Sequence, residues 1–181
     1  MFNASEIQQL HGVGVYLRIL QESDVSESYV AWLNDLEITR YLEVRFRSMT
    51  RESIVDDLRT SPDRDIYFFG IFQQGSNLHL GNIRLGPVNQ QHARAGIGIV
   101  VGERSAWGRG VATEAIQLIS DFGFDSLKLE KIVAGIYEPN VGSTRAFLKA
   151  GFEIEATLPN YWNCGDERVG EVLLGKHRQS A

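Results

Sequence analysis

The chain has 181 residues, 43% hydrophobic and 23% charged, enough for one sizeable core and short for two ordinary domains. A net charge of −5 argues against general nucleic-acid binding through a basic surface, and the single cysteine, Cys164, excludes an intramolecular disulfide and fits a reducing compartment. The stretch "MFNASEIQQL" has neither the basic start nor the apolar run of a signal peptide, and no apolar segment approaches the roughly 20 residues that cross a bilayer, so a cytoplasmic location away from membranes is expected.

The segment "GVGVYLRIL" (12–20) alternates with β-branched and aromatic residues and predicts a strand. In "QESDVSESYVAWLND" (21–35), Ser23 or Asp24 can cap a helix carrying Val25, Tyr29, Trp32 and Leu33 on one stripe. A short helix is expected over "LEITRYLE". Another should begin after Thr50 as N-cap, with Ile54, Val55 and Leu58 inward. "SPDRD" (61–65) reads as a turn and "IYFFGIF" (66–72) as a buried strand. "QQGSN" (73–77) has hairpin-loop composition and leads into "LHLGNIRLGPV" (78–88). "RAGIGIVVG" (94–102) is a further strand, with glycines where another backbone can approach closely.

Next, "GVATEAIQLISDFGFDSL" places Ala112, Ala115, Ile116, Ile119 and Phe122 at helical spacing. "KIVAGIY" (131–137) predicts a strand that "EPN" breaks, and "VGSTRAFLKAG" a helix closed by Gly151 at its C′ position. "FEIEATLPNYW" and "RVGEVLLGKH" read as two last strands joined through "NCGDE". The order is a β-rich half with early helices, then β-α-β-α-β-β. No repeat, low-complexity tract or linker interrupts it, which predicts one mixed α/β domain over residues 1–181.

The junction "ERSAWGRGVATEA" (103–115) carries the chemistry. A strand, a glycine-rich turn and a helix in succession create an anion site, because the first helical N–H groups lack internal partners and the helix dipole favours negative charge there. Arg109 adds charge near the rim. Its guest is a nucleotide phosphate, the pyrophosphate of another cofactor, or nothing beyond a tight turn. A P-loop needs Lys followed by Ser or Thr after its last glycine, but Val111 and Ala112 follow Gly110. A dinucleotide turn needs a third small residue where Thr113 stands.

The stretch "IGIVVGERSAWGRGVATEA" resembles the acetyl-CoA motif of the GNAT superfamily of N-acetyltransferases. Its nearest likeness is the ribosomal-protein N-terminal acetyltransferase (RimJ/RimL-like) branch. "IYEPNVGSTRAFLKAGF" is similar to that branch's Asn-x-x-Ser helix ending in Gly-Phe, and "YVAWLNDLEITRYLE" to its acceptor-side helices, so the resemblance covers about residues 13–176. It implies an α/β fold whose mostly antiparallel sheet is flanked by helices and holds a central splayed strand pair, with the thioester in the V between the strands. It also implies acetyl-CoA as cosubstrate without a metal, an amine acceptor, and a homodimer as a family expectation.

The resemblance further implies site residues. Val100, Val101 and Gly102 would end the strand that pairs with the pantetheine arm. Trp107, Gly108, Arg109, Gly110, Val111, Ala112 and Thr113 would form the pyrophosphate turn. Asn140 would bond the pantetheine, Ser143 would lie near the sulfur, and Phe147 would flank the cofactor with Lys149. Many superfamily members place a tyrosine seven residues after the asparagine as general acid; Phe147 stands there and has no proton to give. Ser143 is the available substitute, as in the RimL-like branch, so Ser143 and Asn140 are the candidate catalytic residues.

The general base is open. Gly96 and Ala95 occupy the position where many relatives carry a glutamate, which leaves Glu43, His92, Glu103, Glu138, Asp166, Glu171 or a water. His11, His79, His92 and His177 show no metal-ligand spacing. Trp32, Tyr41, Phe46, Tyr161 and Trp162 read mainly as packing, with some available to an acceptor pocket. Two readings therefore stand: an acetyl-CoA-dependent N-acetyltransferase acting on a small amine, amino sugar or protein N-terminus, and a catalytically weak acyl-CoA-binding or regulatory module of the same fold.

Overall fold

The computed structural model describes residues 7–179. A short strand β1 (Leu10–His11), absent from the sequence expectation, precedes β2 (Val15–Ile19) and pairs with it antiparallel. Helix α1 (Glu27–Asn34) starts later than expected. Ser26, not Ser23 or Asp24, takes the Tyr29 N–H, because residues 22–24 close a tight 3-10 turn on the Asp24 carboxylate. Helix α2 (Leu36–Thr39) is capped by Asp35, and α3 (Arg51–Thr60) by Thr50 as the sequence indicated. Strands β3 (Tyr67–Gln73), β4 (His79–Leu85) and β5 (Arg94–Val101) follow. Then come α4 (Val111–Asp125), β6 (Lys131–Tyr137), α5 (Val141–Lys149), β7 (Glu153–Cys164) and β8 (Glu167–His177). Gly151 ends α5 at φ 88°, where the Phe152 N–H bonds back to Phe147 O.

The eight strands form a sheet in the order β1-β2-β3-β4-β5-β6-β8-β7. Every pairing is antiparallel except β5 with β6. Helix α4 packs Ala115, Ile116, Ile119 and Phe122 on one face with Phe69, Ile83, Leu85 and Ile132. On the other face α1 and α3 bring Tyr29, Trp32, Leu33, Ile54 and Val55 against Tyr16 and Phe72. This is the mixed α/β architecture, a single sheet flanked by helices, that the sequence indicated.

The sheet parts at its centre. The parallel β5–β6 register holds for Arg94↔Lys131, Ala95↔Ile132 and Gly96↔Val133, and stops there. Along β5, Gly96 O accepts from Gly86 N–H, and the Gly102 N–H just beyond the strand bonds Leu80 O. Even-numbered residues therefore address β4, and by alternation Ile97, Ile99 and Val101 turn their backbone groups toward the gap left by β6. One of these is taken: the Trp107 indole donates to Val101 O at 2.8 Å.

Candidate active site

Two cavities flank the gap. The first, about 470 Å³, is walled by β5 residues Ile99, Val100 and Val101, the turn before α4, the first turn of α4 and one face of α5. The second, about 420 Å³, lies toward α1–α3 and is lined by Tyr29, Leu33, Glu43, Arg47, Asn82, Arg84, Gly98, Tyr137 and Trp162, among others. Both include Tyr41, Leu42, Ile99 and Val100, so they meet beside the diverging strand.

The turn folds for local reasons. Glu103 accepts from the Ser105 N–H, a 3-10 turn covers Arg104–Ala106, and Trp107 is tied to Val101. Gly108 and Gly110 sit at φ 72° and 84°, a region L side chains rarely adopt, and a Cβ at either would meet nothing within 4 Å. The bareness thus opens onto the cavity and serves no close packing. Gly110 is the N-cap of α4, whose first internal bond is Glu114 N–H to Gly110 O, leaving the preceding amides free.

Of the residues named from sequence, Val100, Val101, Trp107, Gly108, Gly110, Val111, Ala112, Thr113, Asn140 and Ser143 share the first cavity. Asn140 caps α5, its Oδ1 accepting from the Ser143 N–H at 3.2 Å, and the Ser143 hydroxyl has no hydrogen-bond partner among the described residues. Three residues lie elsewhere. Phe147 is buried edge-to-face against Phe152, because its helical position faces the sheet. Gly102 is covered by the Trp32 ring. Arg109 lines a separate cleft with Glu114 and Gly14. The positive charge on the cavity wall comes instead from Arg145 and Lys149 of α5, neither of which has an ion pair among the described residues. Lys149 was named from sequence as flanking the cofactor; Gly142 and Arg145 were not, although they recur with it at helical spacing, a signal in the sequence that could have found them.

The base candidates separate as well. Glu103 caps its own turn, and Glu138 accepts from the Gly170 N–H. His92 and Asp166 line neither of the two cavities at the gap. Glu43 lines the second cavity and accepts a 2.5 Å bond from the Tyr137 hydroxyl, which in turn accepts from Arg45 at 2.9 Å. Burial, reinforced by that bond to Glu43, raises the Tyr137 pKa above the ordinary phenol value. Tyr137 stacks on Trp162 with centroids 5.2 Å apart. Glu171 is 7% exposed and lies over Gly135, where a side chain would collide with its carboxylate; burial raises its pKa above the usual range.

An open parallel strand pair in a helix-flanked sheet, with the unpartnered start of a helix on one side and a second cavity on the other, gives the arrangement a two-substrate transferase needs. The chain matches the acetyltransferase (GNAT) domain model over residues 15–153, and it belongs to that family of N-acetyltransferases. It is 32% identical over 147 residues to the uncharacterized N-acetyltransferase p20 of Bacillus licheniformis, covering 78% of this chain and 79% of that one. Among solved structures, RimL, a ribosomal L7/L12 α-N-protein acetyltransferase in complex with coenzyme A, superposes with a TM-score of 0.82 at 14% identity, covering 94% and 98% of the two chains. Spermidine N-acetyltransferase from Vibrio cholerae, in complex with CoA and spermine, does so with 0.80 at 18%, covering 91% and 95%. At such identities the structural likeness speaks for the fold alone.

Proposed function

We propose that this N-acetyltransferase moves the acetyl group of acetyl-CoA onto a primary amine by direct attack in a ternary complex. The observation that carries the reading is the meeting of two cavities at Ile99 and Val100, where β5 and β6 part. The residues present fit coenzyme A. The bare turn at Gly108 and Gly110, the free amides opening α4, and the cations Arg145 and Lys149 suit a pyrophosphate. The unpaired backbone edge at Ile97 and Ile99 suits an amide-bearing arm laid down as an added strand.

Acetyl-CoA supplies an activated thioester. Glu43, on the wall of the second cavity, accepts the proton the ammonium loses, and Tyr137 fixes its carboxylate. Ser143, with its hydroxyl unengaged, donates toward the departing thiolate; Asn140 sets its position by capping the same helix turn. Positioning and exclusion of water contribute most of the acceleration. Placement in the RimJ/RimL-like branch belongs to the same proposal and rests on the residues of the turn and of α5.

Acetyl-CoA should raise the melting temperature, and thiol release should follow when an accepted amine is added. No thermal shift at millimolar acetyl-CoA would sink the proposal. A shift with no thiol release from a broad panel of amines, amino sugars and peptides would leave the binding-module reading in its place.

A further inference from the structure

The second cavity has a chemistry of its own at the β4 end. Asn82 and Arg84 stand two residues apart on β4, opposite Val100 and Gly98 of β5, so both project to the same face. Asn82 is 3% exposed, and its Nδ2 is the one buried side-chain nitrogen or oxygen without a partner among the described residues. The amide's orientation follows from a neighbour. His79 Nε2 lies 3.0 Å from Gly81 O, which can only accept, so that nitrogen carries the proton. The Asn82 atom 2.9 Å from the same nitrogen must then be its oxygen. Nδ2 is left with two N–H groups and no acceptor.

Arg84 lies across Gly98, where a Cβ would stand 2.9 Å from its Nε, and its guanidinium has neither hydrogen bond nor ion pair among the described residues. Among the described residues, the one carboxylate acting on Arg84 is already shared. Asp57 lies 3.7 Å from both Arg47 and Arg64, so this end holds three guanidinium groups to one carboxylate. Glu43 is held by Tyr137 on another part of the same wall. One end thus presents donors and excess positive charge, another a carboxylate, and Leu33, Met49, Ile54 and Phe68 give an apolar stretch of wall.

We infer that the acceptor is an amine that also carries an anionic group, a carboxylate or a phosphate, received by Arg84 and the Asn82 amide while Glu43 faces the amine. Two donors with no protein acceptor call for oxygen atoms from a ligand. A guanidinium and an amide N–H both suit an oxyanion. A polyamine would set its charges against Arg47 and Arg84 and leave the Asn82 N–H groups unmet. The inference rests on the acetyl-transfer reading above and names the substrate class of that site.

The test compares matched amines in a thiol-release assay with acetyl-CoA: 6-aminohexanoate against hexylamine, L-phenylalanine against phenethylamine, O-phosphoethanolamine against ethanolamine, and spermidine alone. The anionic member should be favoured by about tenfold or more in kcat/KM in at least one pair, as a charge-assisted hydrogen bond implies. The carboxylate and phosphate pairs tell the two anions apart. In Arg84→Met the ratio should collapse toward one and in Arg84→Lys recover in part, while acetyl-CoA still raises the melting temperature of both variants as it does that of the native chain. Better use of spermidine or of the neutral amines overturns the inference. So does a ratio unchanged by Arg84→Met, or no reaction with any anionic amine in a protein that binds acetyl-CoA. Failure of acetyl-CoA to bind instead overturns the underlying reading.

Discussion

The Tyr137 hydroxyl at the end of β6 donates a 2.5 Å hydrogen bond to Glu43 Oε1, joining residues 94 positions apart on the wall of the second cavity. Arg45 completes the arrangement by donating to the same hydroxyl and to Asn163 O, which ties the turn after α2 to the β7–β8 hairpin. Tyr137→Phe removes both the donor to Glu43 and the acceptor for Arg45. We expect kcat/KM to fall about tenfold or more with little change in acetyl-CoA affinity, as the proposed base loses its fixed orientation. Steady-state kinetics beside calorimetric titration of acetyl-CoA checks this, and equal kinetics would remove Tyr137 from the mechanism.

Gly110→Ala addresses the turn. A residue with a Cβ at φ 84° costs about 1–2 kcal/mol, and this Cβ would enter the open cavity proposed for the pyrophosphate. The expected result is a melting temperature lower by a few degrees and a weaker thermal shift with acetyl-CoA. Gly165→Ala, at φ 66° in the β7–β8 turn, serves as the control. It shares the backbone strain with nothing within 4 Å, and its acetyl-CoA shift should match the native one.

Ser143→Ala separates chemistry from binding. The serine backbone is held by the Asn140 cap and its hydroxyl is unengaged, so its removal should leave the helix and the acetyl-CoA affinity intact. A loss of about tenfold or more in kcat, with an unchanged dissociation constant, is the expected outcome for a proton donor. Undiminished turnover would remove its proposed role.

Glu171 gives a stability prediction with a definite sign. Its folded pKa lies above the ordinary carboxylate value because it is buried, so between the two values the folded state holds more protons than the unfolded one. Its contribution therefore falls as pH rises from the ordinary glutamate range through the folded value. Glu171→Gln, which cannot ionise, should melt higher relative to the native chain at pH 8 than at pH 4. Melting curves at the two pH values decide it; a difference of the opposite sign would mean the carboxylate has a stabilising partner.

Most strands, and the ends of α3 and α5, were legible because their signals are local. Thr50 announces α3, the "EPN" break and Gly151 bound α5, and β6 lies where its apolar run lies. The glycine turn is likewise set by a dozen adjacent residues, and family likeness selects Gly108, Gly110, Val111, Ala112, Thr113, Asn140 and Ser143, which do share one cavity. Where several elements must meet, local reading does not say which side of an element faces the gap. Arg109 and Phe147 do not line the first cavity, since the packing of α4 and α5 on the sheet decides which side of a helix or turn sees the gap. The second cavity was legible only in part, since Glu43, Tyr41 and Trp162 were named from sequence and Asn82, Arg84 and Tyr137 were not. Glu43, the β4 pair Asn82 and Arg84, and Tyr137 come from three separate segments, and each is an ordinary polar residue until the register of β4 with β5, and the parting of β5 from β6, set them around one space. Sequence determined most elements and the glycine-rich turn, because backbone preference and capping act over a few residues. Tertiary structure alone decided the β4 end of the second cavity, because burial and the absence of partners among the described residues at Asn82 and Arg84 exist only once separate strands are side by side.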